Sequence, residues 1–205
     1  MDKGIFFQQW SKLHGNVEVT GIVKGWLTIS YSVVRPLYLL KIPASAVTIS
    51  GLLFGVALWR NNSQWFALLF LGLSLLSDGL DGSLAIIGGK ESLRGAALDS
   101  VVDRVTEVFW ALTFYAIGGH VEIVFLAWLI ASTQEYARAR MGGLGLHDIG
   151  VVSISERPVR ASLLAIALVA HVLSLNFAQP LAIIWLGMQT WSLLSVMRFA
   201  YLRLR

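Results

Sequence analysis

The stretch Trp65–Asp103, WFALLFLGLSLLSDGLDGSLAIIGGKESLRGAALDSVVD, decides the fold. Its first part, Trp65–Ile87, is long and apolar enough to cross a bilayer, which takes roughly 20 predominantly apolar residues. A short polar turn, GGKES, follows, and a second apolar segment returns from Gly95. Four aspartates, Asp78, Asp81, Asp99 and Asp103, are set around that turn. Ionised carboxylates in hydrocarbon are costly and are seldom kept without a partner, so four at ordered spacing mark a functional site.

The rest of the chain agrees with a membrane setting. Hydrophobic residues make up 56% and charged residues 14% of the 205 positions, and the mean hydropathy of +0.69 is far above that of soluble domains. Eight Trp and five Tyr suit the headgroup level of a bilayer. The absence of cysteine excludes disulfides, thiolate metal sites and cysteine nucleophiles. A net charge of +4 is read through where its cations fall, not as a sign of nucleic-acid binding. The start, MDKGIFFQQWSKLHGN, has no apolar core before a small-residue cleavage site, so the N-terminus is expected to stay in the mature protein.

The expected fold is an all-α integral membrane protein of six transmembrane helices preceded by an N-terminal interfacial amphipathic helix. Spans are predicted at Pro43–Trp59, Trp65–Ile87, Gly95–Gly118, Val121–Arg140, Pro158–Leu175 and Pro180–Leu202. Val19–Leu40 mixes apolar residues with Lys24, Arg35 and hydroxyls, which suits a helix lying in the interface; Lys24 interrupts the alternative, a first span. Residues 1–42 then form a cytoplasmic N-terminus with its surface helix, and 43–205 the membrane domain. With the N-terminus inside, fifteen of sixteen Lys and Arg fall at the cytoplasmic side and only Arg60 outside. A multi-pass plasma-membrane protein is expected, with its active site facing the cytoplasm. No internal repeat is visible, so the inverted-repeat mark of many transporters is missing.

Asp78 and Asp81 are three apart and Asp99 and Asp103 four apart, so each pair shares a helical face at similar depth. Four converging carboxylates need a cation between them. Oxygen ligands without His or Cys favour magnesium, calcium or manganese. Gly79, Gly82 and Gly95 leave room beside the acids for a close-lying ligand or a close-packed helix.

This stretch resembles the CDP-alcohol phosphatidyltransferase family, whose signature is D-x-x-D-G-x-x-A-R-x8-G-x-x-x-D-x-x-x-D. Asp78, Asp81, Gly82, Ala85, Gly95, Asp99 and Asp103 match it at every interval, and Ile86 stands where the family has arginine. The resemblance implies two divalent cations, Mg2+ or Mn2+, held by Asp78, Asp81, Asp99 and Asp103, with Asp103 as general base. It implies a nucleotide site lined by Gly82, Ala85 and Gly95, a CDP-alcohol donor such as CDP-diacylglycerol, and release of CMP.

A basic segment, EYARARMGGLGLHDIGVVSISERPVR, lies between the fourth and fifth predicted spans. Arginine forks bind phosphate oxygens in pairs. Tyr136, Arg138, Ala139, Arg140 and Gly145, then Glu156, Arg157, Pro158 and Arg160, are similar to the phosphatidylinositol phosphate synthase branch, with Arg138, Met141 and Gly142 as departures. That resemblance implies a polar phosphorylated acceptor, inositol phosphate first, whose phosphate meets Arg138, Arg140, Arg157 and Arg160. Ser153 and Ser155 either serve the acceptor or are solvated loop hydroxyls. Glu107 extends the stripe of Asp99 and Asp103 by one turn and either supports the site or pairs with a cation such as Arg104. His14, His120, His147 and His171 are too scattered for a metal cluster, and His147 with Asp148 reads as a solvated loop.

Competing readings are a prenyltransferase, a divalent-cation transporter, and a catalytically weakened family member acting as a binding subunit, the last motivated by Ile86. Membrane lipids are expected partners and nucleic acid is not. A homodimer is expected, through small-residue faces such as GLLFG in the first span, residues that equally suit packing within one chain.

Overall fold

The computed structural model describes residues 1–13, 15–145 and 153–203. His14, His147, Asp148 and Arg205 lie outside the described residues. The described chain is all-α: α1 Lys3–Leu13, α2 Gly21–Leu39, α3 Ala44–Arg60, α4 Phe66–Gly88, α5 Leu93–Ala116, α6 Val121–Gly143, α7 Arg157–Val172 and α8 Ala178–Arg203. A helix forms at each of the six segments expected to span and at the expected surface helix. Helix α1 is an addition that the apolar runs do not reveal.

Among the described residues two helices, α4 of 23 residues and α8 of 26, are long and apolar enough to cross a membrane. The pair α2 and α3, bent by 113° between them, makes a third if counted as one broken span. The six-span expectation is therefore met only in part. Helix α7 has 16 residues, short for a crossing. Helix α5 carries Arg94, Asp99, Asp103, Arg104 and Glu107, and α6 carries Glu122, Glu135, Arg138 and Arg140. Those ionisable residues cost both helices the uninterrupted apolar length that crossing requires.

The helices divide into two compact units. The first comprises Met1–Phe54 and Gly72–Thr106. Its core is Phe6, Leu27, Val34, Val47, Leu84, Ile86 and Ile87. Phe6 anchors α1 against α2, with its ring centroid 5.6 Å from that of Tyr31, whose hydroxyl donates to the Met1 carbonyl at 2.9 Å. Lys41 adopts a left-handed φ of 58° and Pro43 follows, which ends α2 and turns the chain into α3. Small residues bring α3 and α4 together. Ser74 donates to the Gly51 carbonyl at 3.0 Å, and a Cβ at Gly51 would stand 3.1 Å from that of Ser77. Gly51, part of the segment expected to support a dimer, is thus engaged inside its own chain.

The second unit comprises Gly55–Leu71 and the chain from Glu107 onward. Helix α8 packs against α6 and α7. Buried alanines, among them Ala127, Ala131, Ala161, Ala167, Ala178 and Ala182, let these helices approach closely. Phe114 stacks on Trp185 with centroids 5.6 Å apart. The turn from α5 to α6 uses Gly118 at φ 108°, and a Cβ on Gly119 would meet the Phe114 carbonyl at 2.9 Å. The Gln179 side chain of α8 accepts from the His120 backbone at 2.6 Å and so ties that turn down.

Candidate functional site

The first unit holds the acidic cluster. Asp99 and Asp103 share one face of α5, and Asp78 reaches them from α4. One carboxylate oxygen from each of the three lies within 4.8 Å of the others, and all three residues are partly exposed. Oxygens bound to a single divalent ion at about 2.0 to 2.6 Å stand at most about 4 to 5 Å apart, so the spacing and the all-oxygen donors fit one such ion. Ser92 sets the start of α5 by accepting from the Gly95 backbone at 3.0 Å, an N-cap that helps fix where Asp99 falls.

Asp81, the fourth expected ligand, stands outside this group of three. It is buried, with one oxygen accepting from the Thr48 hydroxyl of α3 at 2.6 Å and the other from the Gly82 backbone at 2.6 Å. It still lies close enough to Asp99 to interact with its charge. The cluster is therefore three carboxylates for an ion, with Asp81 beside them and tied to α3.

The glycines separate. A Cβ at Gly82 would meet nothing within 4 Å, so that position is open beside the aspartates, whereas one at Gly95 would press on the Ser92 hydroxyl at 3.1 Å, the group that caps α5. At Gly79 a Cβ would come within 2.5 Å of the Trp26 ring, so this glycine makes room for α2 and not for a ligand. Ala85 is half-buried, whereas Ile86 is buried in the apolar core of the unit, away from any polar role. Lys90 and Arg94, the nearby cations, are exposed.

The second unit gathers the expected acceptor residues around carboxylates. Arg138 makes a two-pronged contact with Glu156, at 2.8 and 3.3 Å, and lies 3.5 Å from Glu135. Burial on its own raises the Glu156 carboxyl, but hydrogen bonds from Arg138 and Ser153 and the Arg138 charge outweigh it, leaving Glu156 below the ordinary carboxylate value. Arg160 donates to Glu107 at 2.6 Å and to the Ser155 carbonyl at 2.6 Å. Arg157 lies 3.8 Å from Glu107 and over the Trp110 ring. Arg140 is exposed at the end of α6. Three of the four arginines are thus already engaged by glutamates, and Glu107 pairs with Arg160 and Arg157.

Ser153 and Ser155 are buried, not solvated. Gln134 donates to Ser153 at 3.2 Å, Gln189 to Gln134 at 2.9 Å, and Ser155 to Gln189 at 2.8 Å. This relay of two glutamines escapes sequence reading. Its signal is two isolated amides in the apolar segments that become α6 and α8.

Fold and site together define an all-helical membrane protein carrying a carboxylate cluster suited to a divalent ion. Residues 38–197 match the CDP-alcohol phosphatidyltransferase family, and the chain belongs to that family. It is 33% identical over 124 residues to an archaetidylinositol phosphate synthase of Aeropyrum pernix, covering 60% of this chain and 63% of that protein. It is 34% identical over 99 residues to an archaetidylinositol phosphate synthase of Pyrococcus horikoshii, covering 46% of this chain and 52% of that one. The chain therefore spans less than two thirds of the length of either.

Proposed function

We infer that this protein transfers a phosphatidyl group from a CDP-alcohol such as CDP-diacylglycerol to the hydroxyl of a polar, phosphorylated alcohol, with inositol phosphate the first choice. The observation that carries this reading is the convergence of Asp78, Asp99 and Asp103 within 4.8 Å, at the register of the family signature. The acceptor oxygen forms a new bond to the lipid-linked phosphorus, and the bond from that phosphorus to the CMP phosphate oxygen breaks. CMP leaves with the bonding pair, and Asp103 takes the hydroxyl proton as general base. Asp78, Asp99 and Asp103 would hold one divalent cation, Mg2+ or Mn2+, Asp81 would turn from Thr48 to help them hold a second, and bound metal would neutralise the pyrophosphate oxygens of the donor. Gly82, open on its Cβ side, would line the nucleotide site together with Ala85 and Gly95.

Arg138, Arg140, Arg157 and Arg160 are assigned to the acceptor phosphate. The names of the Aeropyrum and Pyrococcus relatives favour inositol phosphate among possible acceptors. Six spans in the plasma membrane, with polar residues of the less apolar helices turned to the protein interior, belong to the same proposal, and the one-sided distribution of Lys and Arg supports placing both termini at the cytoplasmic face. The homodimer rests on small-residue faces alone.

The test is CMP release from labelled CDP-diacylglycerol by the purified protein, with inositol phosphate, glycerol phosphate, inositol and serine offered in parallel. Release is expected to be fastest with inositol phosphate. Preference for another alcohol would reassign the acceptor, and no release with any of them would remove the transferase reading.

A further inference from the structure

Glu107 is 2% exposed, and the two arginines it holds, Arg157 and Arg160, are buried as well. One oxygen, Oε1, receives Arg160 at 2.6 Å and stands 3.8 Å from Arg157 Nε. Trp110, one turn along α5 from Glu107, lies under the Arg157 guanidinium at 5.3 Å. The carboxylate and the indole therefore form one cradle for two cations at the start of α7. Arg160 is fixed from its other side too, since its second amino group donates to the Ser155 carbonyl and the Ser155 hydroxyl is tied to Gln189 of α8.

A buried ion pair is a poor device for stability alone, because apolar side chains of similar volume often serve as well or better. What such a pair does supply is direction. A guanidinium held at both amino groups keeps a single orientation, and the Nε–H of Arg160 remains buried with no hydrogen-bond partner in the described chain. A fixed fork that retains an unmet donor suits an anion better than it suits packing.

We propose that Glu107 is a positioning residue for the acceptor phosphate: its carboxylate sets Arg157 and Arg160 in the orientation that receives the phosphate of the polar acceptor. This rests on the transferase reading and adds a residue that the family signature does not contain. Glu107 does not touch the reacting atoms and acts through the two arginines.

The experiment uses the full chain in detergent, with KM for CDP-diacylglycerol and for inositol phosphate measured separately. Thermal stabilisation by inositol phosphate is measured without donor. Glu107→Gln keeps the side-chain volume and removes the charge. It is expected to raise the acceptor KM by about tenfold and leave the donor KM unchanged, because only acceptor binding depends on the held arginines. It should also shrink the stabilisation by inositol phosphate. Glu107→Asp restores the charge one methylene short and is expected to fall between the two. If Glu107→Gln does not fold, Glu107→Asp decides on the same pair of constants.

An unchanged acceptor KM in a folded variant, a lowered one, or equal changes in both constants would overturn the positioning role while wild-type turnover left the transferase reading intact. A wild-type protein neither stabilised by inositol phosphate nor able to use it would remove the acceptor assignment, and the role of Glu107 with it.

Discussion

Asp99→Asn is expected to lower CMP release by about a thousandfold, the scale on which metal-held pyrophosphate chemistry depends on its ligands. Asp99 shares the α5 face with Asp103, and its carboxylate is one of the three gathered within 4.8 Å. The amide keeps the shape and one oxygen but removes a full charge from the cluster. Two effects then separate the metal account from simple damage to the fold. In the absence of divalent ions the variant should be at least as stable as wild type, since one of three mutually repelling carboxylates has gone. With Mg2+ or Mn2+ added, the thermal stabilisation seen for wild type should be largely lost. Full activity in Asp99→Asn, or equal stabilisation by metal, would show that the cluster does not hold the catalytic ion.

The second large effect concerns Ile86, where the family signature has arginine. Ile86 is packed among Phe6, Leu27, Val34, Val47, Leu84 and Ile87. Those residues come from α1, α2, α3 and α4, so the position joins the N-terminal helices to the helix that carries Asp78 and Asp81. Ile86→Arg would place a guanidinium in that cluster. Leaving such a charge buried and unpaired costs about 3 to 5 kcal/mol, and escape to the surface would lift α1 and α2 from α4. The expected result is a clear fall in melting temperature, a change in the fluorescence of Trp10 and Trp26, which pack against the cluster, and no gain in CMP release. A variant that melts like wild type and releases CMP faster would contradict this placement. It would revive the reading of a weakened family member whose missing cation is simply restored.

How much of this was legible in the sequence follows from the range of each interaction. The helices at the six expected segments begin and end near their predicted limits because apolar runs, Gly-Gly turns and prolines are local signals. Helix α1 was not legible, because KGIFFQQWSKL is too short and polar to stand out, and its docking depends on Phe6 meeting Tyr31 some 25 positions away. The count of spans was met only in part for a physical reason: the carboxylates and arginines of α5 and α6 take away their apolar length.

In the acidic cluster, Asp99 and Asp103 were legible because an interval of four fixes a shared helical face, and Asp78 because a short turn returns the chain beside it. The environment of Asp81 was not, since Thr48 lies 33 positions away and nothing in its neighbourhood announces a partner. The arginines show the same limit. Their charge is visible in sequence, but the carboxylate that meets Arg160 is 53 positions distant, and the glutamine relay behind Ser155 spans α6 and α8. Sequence therefore supplied the residues of the site more readily than their partners.

Divalent metal at the carboxylate cluster is expected to be required for CMP release from a CDP-alcohol. The most direct measurement is the initial rate of CMP release from CDP-diacylglycerol with inositol phosphate, before chelation of divalent ions, after it, and after Mg2+ or Mn2+ is returned. Chelation is expected to abolish turnover, and either ion to restore it. Turnover that persists in the chelated protein would contradict that requirement.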